Sequence, residues 1–375
     1  MAKKIGIVCY PTLGGSGVVA TELGIELAEK GYEIHFISTT LPFRLKKLYP
    51  NIYFHEVEVA NYPVFKHPPY DLSLANKITE VINREKLDLI HAHYAVPHAI
   101  CSIFAKQMAR KDVKIVTTLH GTDITILGID RSLNEMIRYA IEESDAVTAV
   151  SNSLKDQTID VFNLERDIEV IYNFIKPVQN EFNQTFELKK QLGIKSSEKV
   201  LIHISNFREV KRVDDVVKVF SIVNKQIPAK LLLVGDGPEY KNVYDLVHQM
   251  ELQDQVIFLG RQDNIHDLIA ISDLKLLLSS KESFGLVLLE AMVGGIPCIG
   301  TNTGGIPEVI TDGVDGYICN IGDVEEIANK AITLLTNDRL RESFSINAKK
   351  NVLSKFHANQ IVKKYEDLYT RLLNH

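Results

Sequence analysis

Cysteine is scarce in this chain, and its placement excludes more than its number does. Cys9, Cys101, Cys298 and Cys319 are scattered, with no C-x-x-C pair and no histidine at metal-ligand spacing. Three of them stand in apolar surroundings, where a free cysteine behaves as a small core residue. A structural zinc site or a disulfide frame is not expected. Apolar runs are short as well, none approaching the ~18 residues that span a bilayer. The first of them, Ile5 to Cys9, is too brief for a signal-peptide core and no small-residue cleavage site follows it. A cytoplasmic location and no membrane partner are expected. Positive charge is not in excess: 42 Lys and Arg face 48 Asp and Glu, a net charge of −6. That balance argues against a nucleic-acid partner, although a local cluster of donors can still bind a small anion. The chain has no Gly-x4-Gly-Lys-Ser/Thr, which disfavours a P-loop ATPase. It has no Asp-x-Asp either, the common ligand pair for a metal on a diphosphate.

What is present is a regular alternation. The 375 residues exceed the usual size of one hydrophobic core, so two domains are expected. Strand-like runs stand at Ile5–Cys9, Glu33–Ser38, Leu87–His91, Ile115–Leu119 and Ala146–Val150. A second set stands at Val200–Ile204, Leu231–Val234, Val256–Leu259, Leu274–Leu278 and Pro297–Gly300. Amphipathic segments such as Val18–Lys30, Val213–Gln226 and Val324–Leu335 lie between them. Strand and helix in alternation imply parallel sheets covered on both faces, so the fold class is α/β with two doubly wound, Rossmann-like domains. The pattern restarts near Lys199 after a polar stretch, and Tyr172–Pro177 reads as the crossover, with Pro177 stopping any helix. The expected division is 1–172 and 173–358. The segment Asn359–Leu373 is helical in period and is a candidate to pack back on the first domain. Doubly wound sheets bind ligands outside the carboxyl ends of their strands, so the chemistry is expected just after strands in both halves, in a cleft between them.

The motifs obey that rule. Pro11-Thr12-Leu13-Gly14-Gly15-Ser16-Gly17 leads from the first strand into a helix, where glycine permits close backbone approach and the helix start offers free N–H groups; a tight turn without a ligand is the plain alternative. His91-Ala92-His93-Tyr94 follows one strand-like run and His120-Gly121-Thr122-Asp123 another. Histidines there suit metal ligands, catalytic bases or hydrogen-bonded core groups. His91 reads as a satisfied core residue, and His120, in a loop at the ligand edge, as a site residue. Lys66, Arg138, Arg208, Lys211 and Arg212 are the cations nearest strand ends. The stretch Ser205–Arg212 brings three of them to one edge, where a departing diphosphate needs neutralising. Glu282 and Glu290 flank the most specific stretch, Ser283 being the expected N-cap of the helix that follows. Eight helical residues separate two carboxylates by roughly 12 Å, whereas a retaining glycosidase needs its pair about 5–5.5 Å apart. The two acids suit two different sugars, with a phosphate facing the helix start between them, as in a nucleotide-sugar.

Glu282-x7-Glu290, Val234-Gly235-Asp236-Gly237-Pro238-Glu239, the Gly-Gly near the N-terminus and Thr303-Gly304-Gly305-Ile306-Pro307-Glu308 together resemble the retaining GT-B glycosyltransferases of sequence family 4 over essentially the whole chain. Cys9–Gly17, Phe65–Asp71 and His91–Ala95 are similar to a narrower group of these enzymes, acting in bacillithiol biosynthesis. The resemblance implies UDP-N-acetylglucosamine as donor, L-malate as acceptor, and no metal or other cofactor. It implies that Glu290 binds the ribose hydroxyls, that Glu282 binds the donor sugar, and that Lys211 binds phosphate. The backbone N–H groups of Phe284, Gly285 and Leu286, with Gly15, are to complete the phosphate cradle. His120 is to lie beside the donor sugar, so His120, Lys211 and Glu282 form the expected catalytic set. The family often has Gly-Arg ahead of the lysine, where this chain has Ser205-Asn206. Asn206 as a hydrogen-bond donor, or Arg208 or Arg212 as a cation, is to take that place. Ser16, Lys66, Tyr94, Thr118, His120 and Arg138 are the expected acceptor ligands, a dicarboxylate calling for cations and hydroxyls. The same chemistry on another small or lipid-linked acceptor, such as an inositol phosphate, is the alternative. A nucleotide-sugar-binding regulator and an epimerase are more distant ones. A homodimer is expected only from the commonness of two-fold oligomers.

Overall fold

The structure, a computed structural model, describes residues 2–11, 14–59, 66–177 and 182–374. The chain forms two compact units. The first comprises the chain up to Asn173 together with Ala358 onward, and the second is Phe174–His357.

In the first unit seven strands form one parallel sheet: β1 (Lys4–Val8), β2 (Glu33–Ser38), β3 (Ile52–Glu56), β4 (Leu89–His93), β5 (Lys114–Leu119), β6 (Ala146–Ala149) and β7 (Glu169–Val170). Their order in the sheet is β3-β2-β1-β4-β5-β6-β7. The order reverses between β1 and β4, which places the topological switch point between these neighbours. β1, β2, β4 and β5 are almost wholly buried, as parallel strands covered on both faces must be. β3, at the edge, is half-exposed. The helix Ala358–Leu373 buries Ala358, Ile361, Val362, Tyr365, Leu368 and Tyr369, a single stripe at helical spacing. It belongs to this unit: Tyr369 Oη lies 2.6 Å from His91 Nδ1, and Lys30 pairs with Glu366 at 2.9 Å.

The second unit repeats the plan with β8 (Lys199–Ile204), β9 (Ala229–Val234), β10 (Val256–Gly260), β11 (Leu274–Leu277), β12 (Cys298–Thr301) and β13 (Gly316–Cys319), in the order β10-β9-β8-β11-β12-β13. Its switch point lies between β8 and β11. Val213, Val216, Val217, Phe220 and Val223 from one helix, with Ile327, Ala328, Ala331, Leu334 and Leu335 from another, cover these strands in one continuous core. The two ends of the unit lie side by side, since Ile175 N donates to Phe356 O at 3.0 Å.

Three sequence expectations shift. The strand expected at Leu87–His91 runs from Leu89 to His93, so both histidines stand inside it. β3, β7 and β13 were not anticipated, being half-exposed, two residues long and glycine-led respectively. The helix expected to start at Ser283 starts at Leu286. Its N-cap is Gly285 at φ +89°, a left-handed conformation that breaks the helical path before it can reach back to Ser283.

Candidate active site

In the second unit the loops leaving β8 and β11 meet at the switch point. Ser280 N donates to Val210 O at 2.8 Å, lacing one loop to the other. Lys211 Nζ then donates to Glu282 Oε2 at 2.7 Å, with Ser279 Oγ 3.4 Å from the same oxygen. Both partners are largely buried, at 18% and 15% side-chain exposure, so the pair is weakly screened and ready to engage a charged ligand. The Thr303-Gly304-Gly305 stretch, in the loop after β12, holds this segment from behind. Gly305 N donates to Glu282 O at 3.0 Å and Thr303 Oγ1 to Ser280 O at 3.1 Å. Gly304 sits at φ +52°, and a Cβ there would stand 1.7 Å from Glu282 O. The backbones touch, and only glycine permits it.

Behind Glu282, Phe284 is buried against Phe356, ring centroids 5.6 Å apart. The helix Leu286–Val293 follows without any side-chain cap, which leaves its first N–H groups to a ligand. Glu290 lies on this helix and is 4% exposed. Asn206 is exposed in the loop directly after β8. Arg212 is already occupied: its guanidinium grips the buried Asp215 through two nitrogens at 2.6 Å. Among the described residues Arg208 has no ion pair, which leaves it, rather than Arg212, as the uncommitted cation of this stretch. One residue escaped the sequence reading altogether. Lys275 in β11 is wholly buried, its Nζ has no hydrogen-bond partner, and burial pushes its ammonium down to about 7. A single lysine among four leucines, in Leu274–Leu278, was the only available signal.

In the first unit the corresponding place is furnished with rings. Gly15 opens the helix Gly15–Glu29, again without a side-chain cap, and the space above it is open; Ser16 beside it is half-buried. Thr12, Leu13 and Phe65 of the expected motifs lie outside the described residues. The ring of Tyr10, just past β1, lies tilted 4.5 Å from that of His98 and edge-on 5.7 Å from that of Tyr94, so the loops after β1 and β4 are joined by aromatic contact. Tyr94 holds φ +87°, a strained value for a side-chain-bearing residue. Its ring lies 5.2 Å from that of His120. His93 Nδ1 is 2.9 Å from His120 Nε2. Desolvation pushes His91 and His120 down to about 3 and His98 to about 4, so all three are neutral at ordinary pH. Asp123 is buried and accepts N–H bonds from Gly121 at 2.9 Å and Ala95 at 3.2 Å, yet burial still raises its carboxyl to about 6.

His91 is a satisfied core residue: Tyr369 Oη and Thr118 Oγ1 each lie 2.6 Å from one of its nitrogens. Thr118 is engaged by its neighbours. Its side chain is wholly buried, and its hydroxyl meets His91, Thr148 at 2.7 Å and Tyr365. Those contacts fill the capacity of one hydroxyl, so this side chain supports the strand ends and is not turned toward an acceptor. Tyr94 and His120 are brought together. Lys66 is exposed, and Arg138 is an exposed partner of Glu142 at 3.0 Å. No hydrogen bond or ion pair among the described residues joins Ser16, Lys66 or Arg138 to the Tyr94–His120 group.

All four cysteines are buried and unpaired, burial pushing Cys9 and Cys101 up to about 12 and Cys319 to about 11. None is a thiolate near neutrality. Among the described residues no group of three or more His, Cys, Asp or Glu could hold a metal ion, and no helix is long and apolar enough to cross a membrane.

Comparison with known proteins agrees with this picture. Residues 13–179 match the model of Glycosyltransferase Family 4, and residues 184–351 that of Glycosyl transferases group 1. The N-acetyl-alpha-D-glucosaminyl L-malate synthase of Bacillus anthracis is 57% identical over 373 residues, covering 100% of this chain and 98% of that protein. The 2-deoxystreptamine N-acetyl-D-glucosaminyltransferase of Niallia circulans is 24% identical over 96% of this chain and 98% of its own. Among solved structures, Anabaena HepE in complex with UDP-glucose superposes with a TM-score of 0.84 at 21% identity, over 98% of this chain and 99% of that one. A glycosyltransferase from Rickettsia africae gives the same TM-score at 23% identity, over 99% of both. With each half matched by its own family model and a relative at 57% identity along the whole length, the chain belongs to the family 4, group 1 glycosyltransferases of GT-B fold.

Proposed function

We propose that this chain is a retaining N-acetylglucosaminyltransferase that carries the sugar from UDP-N-acetylglucosamine to the hydroxyl of L-malate, forming N-acetylglucosaminyl-malate and UDP on the route to bacillithiol. The observation that carries the reading is the Lys211–Glu282 pair, 2.7 Å across, beside an uncapped helix start. One loop pair thereby offers a cation and free N–H groups for a diphosphate, and a carboxylate for sugar hydroxyls. The acceptor identity rests on the Bacillus anthracis relative, whose identity of 57% extends along the whole chain.

In this reading the second unit binds the donor. Glu290 holds the ribose, Glu282 the sugar, and Lys211 the diphosphate together with the N–H groups of Phe284, Gly285 and Leu286; Gly15 is a further donor-binding residue. Arg208 or Asn206 supplies the further phosphate contact. The first unit binds the acceptor, with Tyr94, Ser16, Lys66 and Arg138 as its ligands and His120 beside the donor sugar. The malate hydroxyl oxygen bonds to the anomeric carbon on the face from which the diphosphate leaves. The bond from that carbon to the phosphate oxygen breaks, and the hydroxyl proton passes to the departing oxygen. Lys211 stabilises the negative charge as it develops, in the role a metal fills elsewhere. The proposal therefore includes turnover without a metal.

Release of UDP from UDP-N-acetylglucosamine in EDTA, with L-malate, an inositol phosphate or no acceptor, tests the whole of it. Malate-dependent release supports donor, acceptor and metal independence together. Release with the inositol phosphate alone keeps the donor chemistry and overturns the acceptor. No release in any arm, even with added magnesium, overturns the transferase reading of this chain.

A further inference from the structure

The proposed role of His120 as a site residue leaves open which of its ring nitrogens carries the proton, and the residue behind it decides. His93 closes β4 and is wholly buried. Its Nδ1 faces His120 Nε2 at 2.9 Å, with the rings inclined by 24° and their centroids 5.1 Å apart. Two facing nitrogens form a hydrogen bond only when one of them carries a proton. The other nitrogen of His93, Nε2, is buried without any partner.

Two arrangements satisfy the pair. In the first, His93 donates from Nδ1, its partnerless Nε2 is a bare lone pair, and His120 carries its proton on Nδ1. In the second, His120 donates from Nε2, and His93 must then bury an N–H with nothing to receive it. An orphaned buried N–H is among the rarest features of folded proteins, whereas an unused acceptor is more readily tolerated. His98 provides an internal precedent. Its Nδ1 is bonded to the carbonyl of His93, so that nitrogen must carry the proton, and its Nε2 is a buried, partnerless lone pair. A doubly protonated ring is disfavoured near neutrality, burial holding His120 near 3 and His93 well below the ordinary histidine value.

We propose that His93 is a positioning residue that locks His120 as its Nδ1–H tautomer, so that His120 presents a hydrogen-bond donor and not a base to its ligand. The half-buried His120 has no protein partner at Nδ1 among the described residues, so that N–H is available. The ligand group it meets is accordingly an oxygen acceptor, such as a sugar hydroxyl or a carboxylate. His120 then takes no proton from the incoming hydroxyl, in keeping with a leaving phosphate that does. The inference rests on the placement of His120 at the site, and it is tested separately from that placement.

The direct test is two-bond ¹H–¹⁵N correlation on ¹⁵N-histidine-labelled protein, with His120 assigned by its loss in His120→Ala. The expected result is a protonated Nδ1 and a bare Nε2 at His120; a protonated Nε2 overturns the proposal. The kinetic test compares two substitutions. His93→Leu removes the donor and is expected to lower kcat about tenfold, the effect of one hydrogen bond in the transition state, with little change in KM. His93→Gln, whose amide can donate in its place, is expected to restore most of the loss and the Nδ1–H signal. A leucine variant that keeps both the signal and kcat overturns the positioning role. Full activity in His120→Ala overturns the site role of His120 while leaving the tautomer assignment standing.

Discussion

The two units repeat one strand order but furnish its switch point with opposite chemistry. At the ends of β1, β4 and β5 of the first stand Tyr10, His93, Tyr94, His98 and His120, a group joined by ring contacts and hydrogen bonds. After β8 and β11 of the second stand Lys211, Glu282 and an open helix start, a charged and partly solvated group. The doubly wound plan therefore fixes where side chains converge and leaves their character to the loops. In the first unit the polar groups are spent largely on one another. In the second, Lys211 and Glu282 pair with each other beside a helix start that no side chain caps.

Acid should separate the units most. Desolvation lowers His35, His55, His91, His93, His98 and His120 in the first unit, against His203 in the second. Their folded values lie below the ordinary value of 6.5, so the unfolded chain takes up protons first. The stability they contribute is complete above that value and lost as pH falls toward 4 and 3. Asp123, raised to about 6, runs the other way and offsets part of the loss. Each fully buried ring costs about 1.4 kcal/mol per pH unit below its unfolded value, so several act together. Hydrogen–deuterium exchange at pH 7 and pH 5, corrected for intrinsic rates, should show protection lost around residues 89–120 before 199–277. Equal losses would break the comparison.

Removing the charge of the second unit comes next. Lys211→Ala should lower kcat about 10²–10³-fold, as expected when a preorganised donor to a developing oxyanion is removed. Steady-state kinetics with UDP-N-acetylglucosamine and malate would read it. A change confined to KM would instead place Lys211 in ground-state binding. Gly304→Ala should cost about 1–3 kcal/mol of overpacking, with left-handed strain in addition, because its Cβ collides with the carbonyl of Glu282. The expected readout is a lower Tm with weakened UDP binding by calorimetry; unchanged values would show that the loop yields. Tyr369→Phe should have the smallest effect. It leaves a nitrogen of buried His91 without a partner at a cost of about 1–3 kcal/mol, measurable by urea unfolding. No loss would mean that the terminal helix is held by packing alone.

Much of the frame was legible because parallel strands buried on both faces leave unbroken apolar runs, and ten such runs fall on strands. The failures have physical causes. His91 read as a satisfied core residue and is one, whereas His93 read as lying past the strand, yet it closes β4 and the histidine stack buries it. Ser283 carries the signature of an N-cap, but Gly285 takes a left-handed turn that moves the start to Leu286. The partners of Arg212 and Thr118 carry no sequence signal, being Asp215 in one case and His91, Thr148 and Tyr365 in the other.

By itself the sequence determined the alternation of strand and helix, the edge of each sheet on which its motifs fall, and the kinds of side chain gathered there, because these follow from local periodicity and spacing. Only the tertiary structure decided which of those side chains remain free for a ligand. Tyr369 reaches His91 across 278 residues, and Lys211 reaches Glu282 across 71. Hydrogen-bond saturation and desolvation arise from such long-range packing, which no one-dimensional pattern contains.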